Sequence, residues 1–383
     1  MLLVVLPARL SMVECLVCNV ITYLPCSGLC GVRRLWSVLT LIPKHRIPVT
    51  LLTGFLGSGK TTLLNSMLRQ PGQPRTLVLI NEYGDIPVDN DLVAFSPDDA
   101  VVETLTGCLC CAVRGDLAKT LRTAPHRFAR DGMPWFDRVV IETTGIADPA
   151  PVLATLLDDT VIATQYRLER TIVTVDAVNG LSTLEREPEA LRQLAVADQL
   201  VLTKVDLAAA ADLDALRCRL ISINPAPIFS ARHGALEEPA WHRLLAPVAD
   251  MRFQPLKWLS AEGAGQSVRL SPQLPQPHGV QAISFDYDQP VHGPALGRWL
   301  DALLDFRGPD LLRIKGLVHL KETGLPMVIH GVQHVFHPPV LLPEWPSEDR
   351  RTRMVFITRN LDSVDLRQSL DDFNRQYETG VLA

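Results

Sequence analysis

The chain is short of positive charge. Lys and Arg total 37 against 42 Asp and Glu, a net charge of −5 over 383 residues. No basic excess is available to neutralise the phosphates of a nucleic acid. A continuous apolar run is also missing. Residues 15–32 carry no charge and reach the length of a bilayer crossing. Asn19, Pro25, Gly28, Gly31 and four cysteines break that stretch up. Arg9 and Glu14 precede it, without the basic start and small-residue cleavage site of a secretory leader. The 29 prolines form no polyproline tract, and no internal repeat is visible. These absences disfavour a nucleic-acid binder, a membrane protein and a secreted protein. A cytoplasmic globular protein of two or three domains is expected.

Cysteine is not scarce, and its eight copies are clustered. Cys15, Cys18, Cys26 and Cys30 lie near the start, Cys108, Cys110 and Cys111 lie further on, and Cys218 stands alone. In a reducing compartment these are thiols rather than disulfides. The spacing Cys15-x-x-Cys18 and Cys26-x-x-x-Cys30 permits zinc but completes no ligand pattern. The plainer reading of residues 1–46 is an unstructured N-terminal extension.

Gly54-Phe-Leu-Gly57-Ser58-Gly59-Lys60-Thr61-Thr62 fills the pattern G-x-x-x-x-G-K-[ST]. This is the loop whose glycines let successive backbone N–H groups point at phosphates. Lys60 is expected to reach the β- and γ-phosphates, and the Thr61 hydroxyl to ligate Mg²⁺. The context agrees. Val49–Thr53 is a short apolar strand candidate, and a helix starting near Thr61 turns its positive end to the anion.

Further strand candidates are Thr76–Asn81, Arg138–Glu142, Thr171–Asp176 and Gln199–Thr203. Helices are expected to begin near Arg114, Ala150 and Asp212. Strands that are apolar throughout and alternate with helices predict an α/β fold, a mostly parallel sheet covered by helices on both faces. Ligands of such sheets bind beyond the carboxyl ends of the strands, where every motif described here falls. The expected organisation is an extension at 1–46, a nucleotide domain at 47–254, a Pro-, Gly-, Ser- and Gln-rich linker at 255–279, and a smaller α+β C-terminal domain at 280–383. In the last, Val280–Tyr287, Leu311–Leu320, Met327–Val335 and Arg353–Thr358 read as strands, and Ala295–Leu304 and Ser363–Tyr377 as helices.

Three strand ends carry chemistry. Val139-Val140-Ile141-Glu142 ends an apolar strand in a carboxylate, the arrangement that holds Mg²⁺ directly or through water. Gly145, three residues on, lets its N–H approach a γ-phosphate closely. Thr203-Lys204-Val205-Asp206 follows another strand and matches the N/T-K-x-D signature of guanine binders. The Asp206 carboxylate accepts two guanine N–H groups, whereas adenine leaves the charge unpaired. Thr203, in place of the usual Asn, offers fewer hydrogen bonds and predicts reduced guanine affinity. Ser230-Ala231 is a weak candidate for the loop that backs the base.

Gly107-Cys108-Leu109-Cys110-Cys111 places three thiols within four residues. Thiolates favour zinc, copper(I) and similar ions. If the segment curls as a loop, Cys108 and Cys111 converge, and a further ligand comes from elsewhere. Asn81-Glu82-Tyr83-Gly84-Asp85 follows the second strand, in a region that in nucleotide switches often responds to the γ-phosphate. Glu82 and Asp85 are candidate ligands for Mg²⁺ or for the thiol site. His330 and His334 would share one face of an extended strand, with His337 on the other. That is read as a polar strand face before a second metal site.

These features, in this order, resemble the CobW-type metallochaperone GTPases. The resemblance covers roughly residues 47–375. It rests on IPVTLLTGFLGSGKTTLLN, INEYGD, TGCLCC, VIETTGIADPAPV, LTKVDL, RIKGLVHL and GVQHVF. It implies GTP hydrolysis coupled to delivery of zinc or cobalt, less often nickel or iron, by a nucleotide domain followed by a smaller C-terminal domain. Thr106 stands where Asn usually precedes Gly-Cys, and Asp85 where Glu is common. The histidine-rich linker of some members is not matched, since only His278 lies nearby. The resulting expectation is a GTPase using GTP and Mg²⁺ that binds Zn²⁺ (or Co²⁺) and transfers it to a client protein, without nucleic acid or membrane. No Gln or Arg finger is recognisable, so intrinsic turnover is expected to be slow. Self-association as a homo-oligomer is left open. The rival is a metal sensor or buffer for which GTP is a structural ligand. Lys204 and Asp206 weigh against a third reading, an ATPase with an incidental thiol cluster.

Overall fold

A computed structural model describes residues 46–81 except 73, residues 117–236 and 279–336, and residues 339–380. It also describes a helix at 238–245 and short strands at 13–15, 20–22, 101–103 and 109–113. Residues 1–42 form a separate unit, in which strands β1 (Val13–Cys15) and β2 (Val20–Thr22) pair antiparallel. The expected linker at 255–279 lies outside the described residues apart from Gly279.

From Ile47 the chain builds the alternating pattern that its apolar runs predict. The strands are β3 (Ile47–Gly54), β4 (Thr76–Asn81), β5 (Val101–Glu103), β6 (Leu109–Val113), β7 (Ala129–Arg130), β8 (Met133–Pro134), β9 (Arg138–Thr143), β10 (Tyr166–Asp176), β11 (Gln199–Thr203), β12 (Ile228–Arg232) and β13 (Ala235–Leu236). β7 and β8 form a small ribbon of their own. The others make one sheet, ordered β13-β12-β11-β10-β3-β9-β4-β6-β5. Its interior pairings are parallel, and its two outermost pairs are antiparallel.

Alternate residues of one strand serve opposite cores. Val49, Leu51, Val139 and Ile141 pack against helices α1 (Leu117–Arg127) and α2 (Ala150–Asp158). Leu52, Val140, Ile172 and Val201 face the other way, against the helices at Lys60–Leu68 and Glu238–Leu245. Because both faces are covered, the strands read as unbroken apolar runs rather than alternating ones. Val173, Val175, Leu200 and Leu202 form a third cluster with α3 (Gly180–Arg186), α4 (Pro188–Ala195) and α5 (Ala210–Ile223).

The C-terminal part is an antiparallel sheet of β14 (Val280–Tyr287), β15 (Leu311–His319), β16 (Pro326–Val332), β17 (Val335–Phe336), β18 (Val340–Leu341) and β19 (Thr352–Arg359). Ile283, Phe285, Ile314, Val318 and Phe356 pack under α6 (Gly293–Arg307) and α7 (Ser363–Glu378). Val280, Leu312 and Ile357 join the nucleotide-domain cluster around Leu216 and Leu220, which docks this sheet on that domain. The strand expected to run to Val335 stops at Val332. Gln333, at φ 50°, turns the chain back into β17. His330 and His334 therefore do not share a strand face. His330 Nε2 lies 3.2 Å from Arg313 Nη2 instead, and His337 is outside the described residues.

Candidate functional site

The phosphate loop leaves β3 at Gly54 and enters its helix at Gly59. Gly57 (φ 68°) and Gly59 (φ 85°) adopt the left-handed conformation that favours glycine. At Gly54 (φ 147°) a Cβ would lie 2.3 Å from Thr174 Oγ1 and 2.4 Å from the Thr174 carbonyl oxygen. The loop thus rests directly on β10.

Threonines at the carboxyl ends of the parallel strands hold it there. Ser58 Oγ and Thr174 Oγ1 are 2.7 Å apart. Thr143 Oγ1 donates to Thr53 Oγ1 at 2.7 Å, and Thr203 Oγ1 donates to the Ser58 carbonyl at 2.8 Å. A β-branched side chain suits a strand, and its hydroxyl satisfies a polar atom that would otherwise be buried alone. Thr203, expected to serve guanine poorly in place of Asn, ties β11 to the phosphate loop.

Lys60 Nζ donates to the carbonyls of Gly54 at 2.9 Å and Phe55 at 3.2 Å, so its ammonium sits over the loop. Thr61 Oγ1 donates to Glu142 Oε1 at 2.6 Å, and Glu142 is 4% exposed. A hydroxyl and a carboxylate at this distance are hard oxygen donors of the type that Mg²⁺ takes. Thr62 is exposed on the first helical turn. A Cβ built on Gly145 would lie 2.6 Å from Leu56 Cα and 2.7 Å from Leu56 N. The segment after β9 is therefore pressed against the phosphate loop.

Lys204 (φ 57°) follows β11 and donates to Asp176 Oδ2 at 2.7 Å. Burial pushes the Asp176 carboxyl up, but Lys204 and the N–H groups of Val178 and Asn179 outweigh it and hold it below the usual range. Asp206 Oδ1 accepts the His233 N–H at 3.1 Å. That hydrogen bond is the main reason the Asp206 carboxyl is held low. It stays ionised, an acceptor-only carboxylate. Val205 N–H donates to the Ala231 carbonyl at 3.4 Å, and Arg217 Nη2 donates to Ser230 Oγ at 2.7 Å. The structure thus brings Ser230-Ala231 beside the Thr203–Asp206 segment.

Glu82, Asp85 and Cys108 lie outside the described residues. Cys110 and Cys111 are described by their backbone alone, which forms part of β6, with Cys110 opposite Val78 and Cys111 opposite Leu79 of β4. Part of the three-cysteine segment is thus a strand. The run Leu-Cys-Cys-Ala-Val pairs parallel with β4 and antiparallel with β5. Among the described residues no group of three or more His, Cys, Asp or Glu is arranged to hold a metal. No described helix is long and apolar enough to cross a membrane.

Sequence reasoning missed Gln193. It is 1% exposed on the apolar side of α4, between Ala190 and Leu194. It donates through Nε2 to the carbonyls of Gly145 at 3.1 Å and Ala147 at 3.0 Å. The available signal was a lone amide among Ala190, Leu191, Leu194 and Ala195.

Residues 48–230 match the CobW/HypB/UreG nucleotide-binding domain, and residues 280–374 match the C-terminal domain of the cobalamin synthesis protein cobW. The chain belongs to the CobW/HypB/UreG family. It is 31% identical to the zinc chaperone YjiA of Escherichia coli K12, over 84% of this chain and 96% of that protein. It is 29% identical to the zinc chaperone CobW of Pseudomonas aeruginosa, over 88% and 94% respectively. The crystal structure of the Zn(II)-bound YjiA GTPase from E. coli superposes with a TM-score of 0.63 at 29% identity, covering 86% of this chain and 99% of that one. The family match and this superposition assign the P-loop GTPase fold to the nucleotide domain, with the antiparallel cobW-type sheet after it.

Proposed function

We propose that this protein is a slow GTPase that loads a thiophilic metal, zinc before cobalt, and passes it to a client protein. The observation that carries the reading is the Thr61–Glu142 contact at 2.6 Å. It joins the phosphate loop to the acidic strand end in a chain whose relatives are named zinc chaperones. Mg²⁺ bound by Thr61 and Glu142 would neutralise charge on the β- and γ-phosphates. The chain's own groups do the rest. Gly54, Gly57, Ser58, Gly59 and Thr62 cradle the phosphates through backbone N–H groups, and Lys60 supplies the fixed positive charge. Gly145 offers its N–H to the γ-phosphate. Thr203, Lys204 and the ionised Asp206 select guanine. Cys108, Cys110 and Cys111, with Glu82 and Asp85, receive the metal.

The test is phosphate release under multiple turnover with GTP and with ATP, each with and without Zn(II). GTP-selective release that Zn(II) alters is expected. A protein that binds GTP and zinc without turning over would be the sensor or buffer instead.

A further inference from the structure

The segment 144–149 joins β9 to α2 and is gripped from three sides. Gly145 has no room for a Cβ against the Leu56 backbone, which a Cβ would approach to 2.6 Å. Opposite, the buried amide of Gln193 places both of its N–H groups on this segment, one on the Gly145 carbonyl at 3.1 Å and one on the Ala147 carbonyl at 3.0 Å. At the far end Asp148 faces Arg192 at 3.9 Å and accepts Gln333 Nε2 at 3.5 Å. The Gln193 Oε1 atom is buried with no hydrogen-bond partner among the described residues. A leucine or methionine would fill the same space without leaving an acceptor unmet. The use of an amide at this position is therefore in what its donors hold, the two carbonyls.

We infer that Gln193 is a positioning residue for the γ-phosphate. It holds the 145–146 and 147–148 peptides and so fixes the backbone that follows the Gly145 N–H, which then stands ready at the phosphate loop and meets a triphosphate but not a diphosphate. This rests on the nucleotide reading given above. Without the two hydrogen bonds, Gly145 and Ala147 are free to turn their carbonyls, and the N–H contact must be formed from a mobile segment at an entropic cost. GDP makes no such contact, so its binding is indifferent to Gln193.

Gln193→Met retains length and removes both donors. Affinities for fluorescent GDP and for a non-hydrolysable GTP analogue would be measured with Mg²⁺, together with single-turnover GTP hydrolysis. The expected result is GDP affinity within about twofold of wild type and analogue affinity reduced about tenfold, or about 1.4 kcal/mol, with a matching fall in hydrolysis. Equal losses for both nucleotides would mark a structural role only, and no loss for either would overturn the inference directly. A second measurement needs no variant. In the wild type, amide exchange at residues 145–148 should slow with the GTP analogue and not with GDP; equal exchange in the two states would also overturn it. A wild type that binds neither nucleotide would refute the nucleotide reading itself, and this inference with it.

Discussion

Asp198→Ala should loosen the seam between the nucleotide domain and the C-terminal sheet. Asp198 sits just before β11. Its Oδ1 accepts Lys315 Nζ at 2.8 Å and also Arg313 Nη2, and its Oδ2 accepts the Thr171 N–H at 2.8 Å. The Arg313 and Lys315 side chains are 4% and 17% exposed, so alanine removes the Asp198 charge from beside two largely buried cations. Removing one partner of a buried pair costs about 3–5 kcal/mol. Asp198 keeps 21% of its side chain exposed, which places the effect near the low end, about 3 kcal/mol. At about 2–4 °C per kcal/mol, Tm should fall by roughly 6–12 °C in differential scanning calorimetry. A variant that melts within about 1 °C of wild type would refute the reasoning.

The same cluster predicts a pH dependence. Burial pushes the Asp198 carboxyl up, but Arg313, Lys315 and His330 override it and hold the pKa far below its ordinary 3.8. A folded-state pKa below the unfolded value contributes stability that is present above about pH 4 and lost as pH falls below it. Asp198→Ala should therefore be less acid-sensitive than wild type. Lys315 is pushed down to about 8 from 10.5, first by burial and then by Arg313. Between those values the unfolded chain holds more protons than the folded one, so this group's contribution to stability rises with pH across that window.

Lys60→Ala should reduce GTP hydrolysis by about 10²–10³-fold, the usual cost of losing one fixed electrostatic group at a reacting centre; near-normal phosphate release would contradict it. Asp206→Asn should weaken GTP binding about tenfold or more, since hydrogen bonds to a charged acceptor are worth about 1.5–3 kcal/mol, and should leave ATP binding unchanged in a competition assay. Gly54→Ala forces a methyl to within 2.4 Å of the Thr174 carbonyl and should cost about 1–3 kcal/mol, read as a lowered Tm. If the nucleotide gates the thiol site, GTP and zinc must strengthen each other's binding by the same factor, and tenfold corresponds to about 1.4 kcal/mol. Equal zinc affinity with GTP, with GDP and without nucleotide, measured against a chelating dye, would exclude gating.

Much of the fold was legible because both faces of the sheet are covered. Val49–Thr53 and Arg138–Glu142 are apolar without a break, and Gly54, Gly57 and Gly59 punctuate the turn in a pattern few other structures need. What escaped had weaker local signals. Leu109–Val113 was obscured because a five-residue run containing two candidate metal ligands shows no alternating strand pattern of its own. The antiparallel β12–β13 pair depends on a turn at His233-Gly234, with φ of 49° and 78°, whose histidine gives little hint of a left-handed residue. The strand ending at Val332 looked continuous to Val335 because Val332, Val335 and Phe336 are all apolar; the Gln333-His334 turn between them has no glycine or proline to announce it. Gln193 and Asp198 were invisible for a different reason. Their partners lie 27 to 117 positions away in sequence, and no local pattern encodes a contact of that kind.

Among the described residues, polar contacts join the C-terminal sheet to the nucleotide domain at two places of unequal strength. One is the Asp198 cluster, which combines opposite charges, burial and a backbone hydrogen bond, and where Arg313 Nη1 also donates to the Ala195 carbonyl at 3.4 Å. It lies at the amino end of β11, the end of the sheet away from the phosphate loop. The other is the single Gln333–Asp148 hydrogen bond at 3.5 Å, at the limit of a useful length, on the segment that Gly145 presses against the phosphate loop. Hydrogen bonds of this neutral-to-charged type weaken steeply with length. A small displacement of residues 144–149 would break the second contact and leave the first intact. The apolar contacts of Leu312, Val280 and Ile357 with the α5 side of the nucleotide domain act with the Asp198 cluster. Among the described residues the C-terminal sheet is therefore anchored at the Asp198 cluster and on the α5 side, adds Val332 to the apolar cluster that holds Val152, Leu153 and Leu156 of α2, and reaches residues 144–149 through the Gln333–Asp148 hydrogen bond.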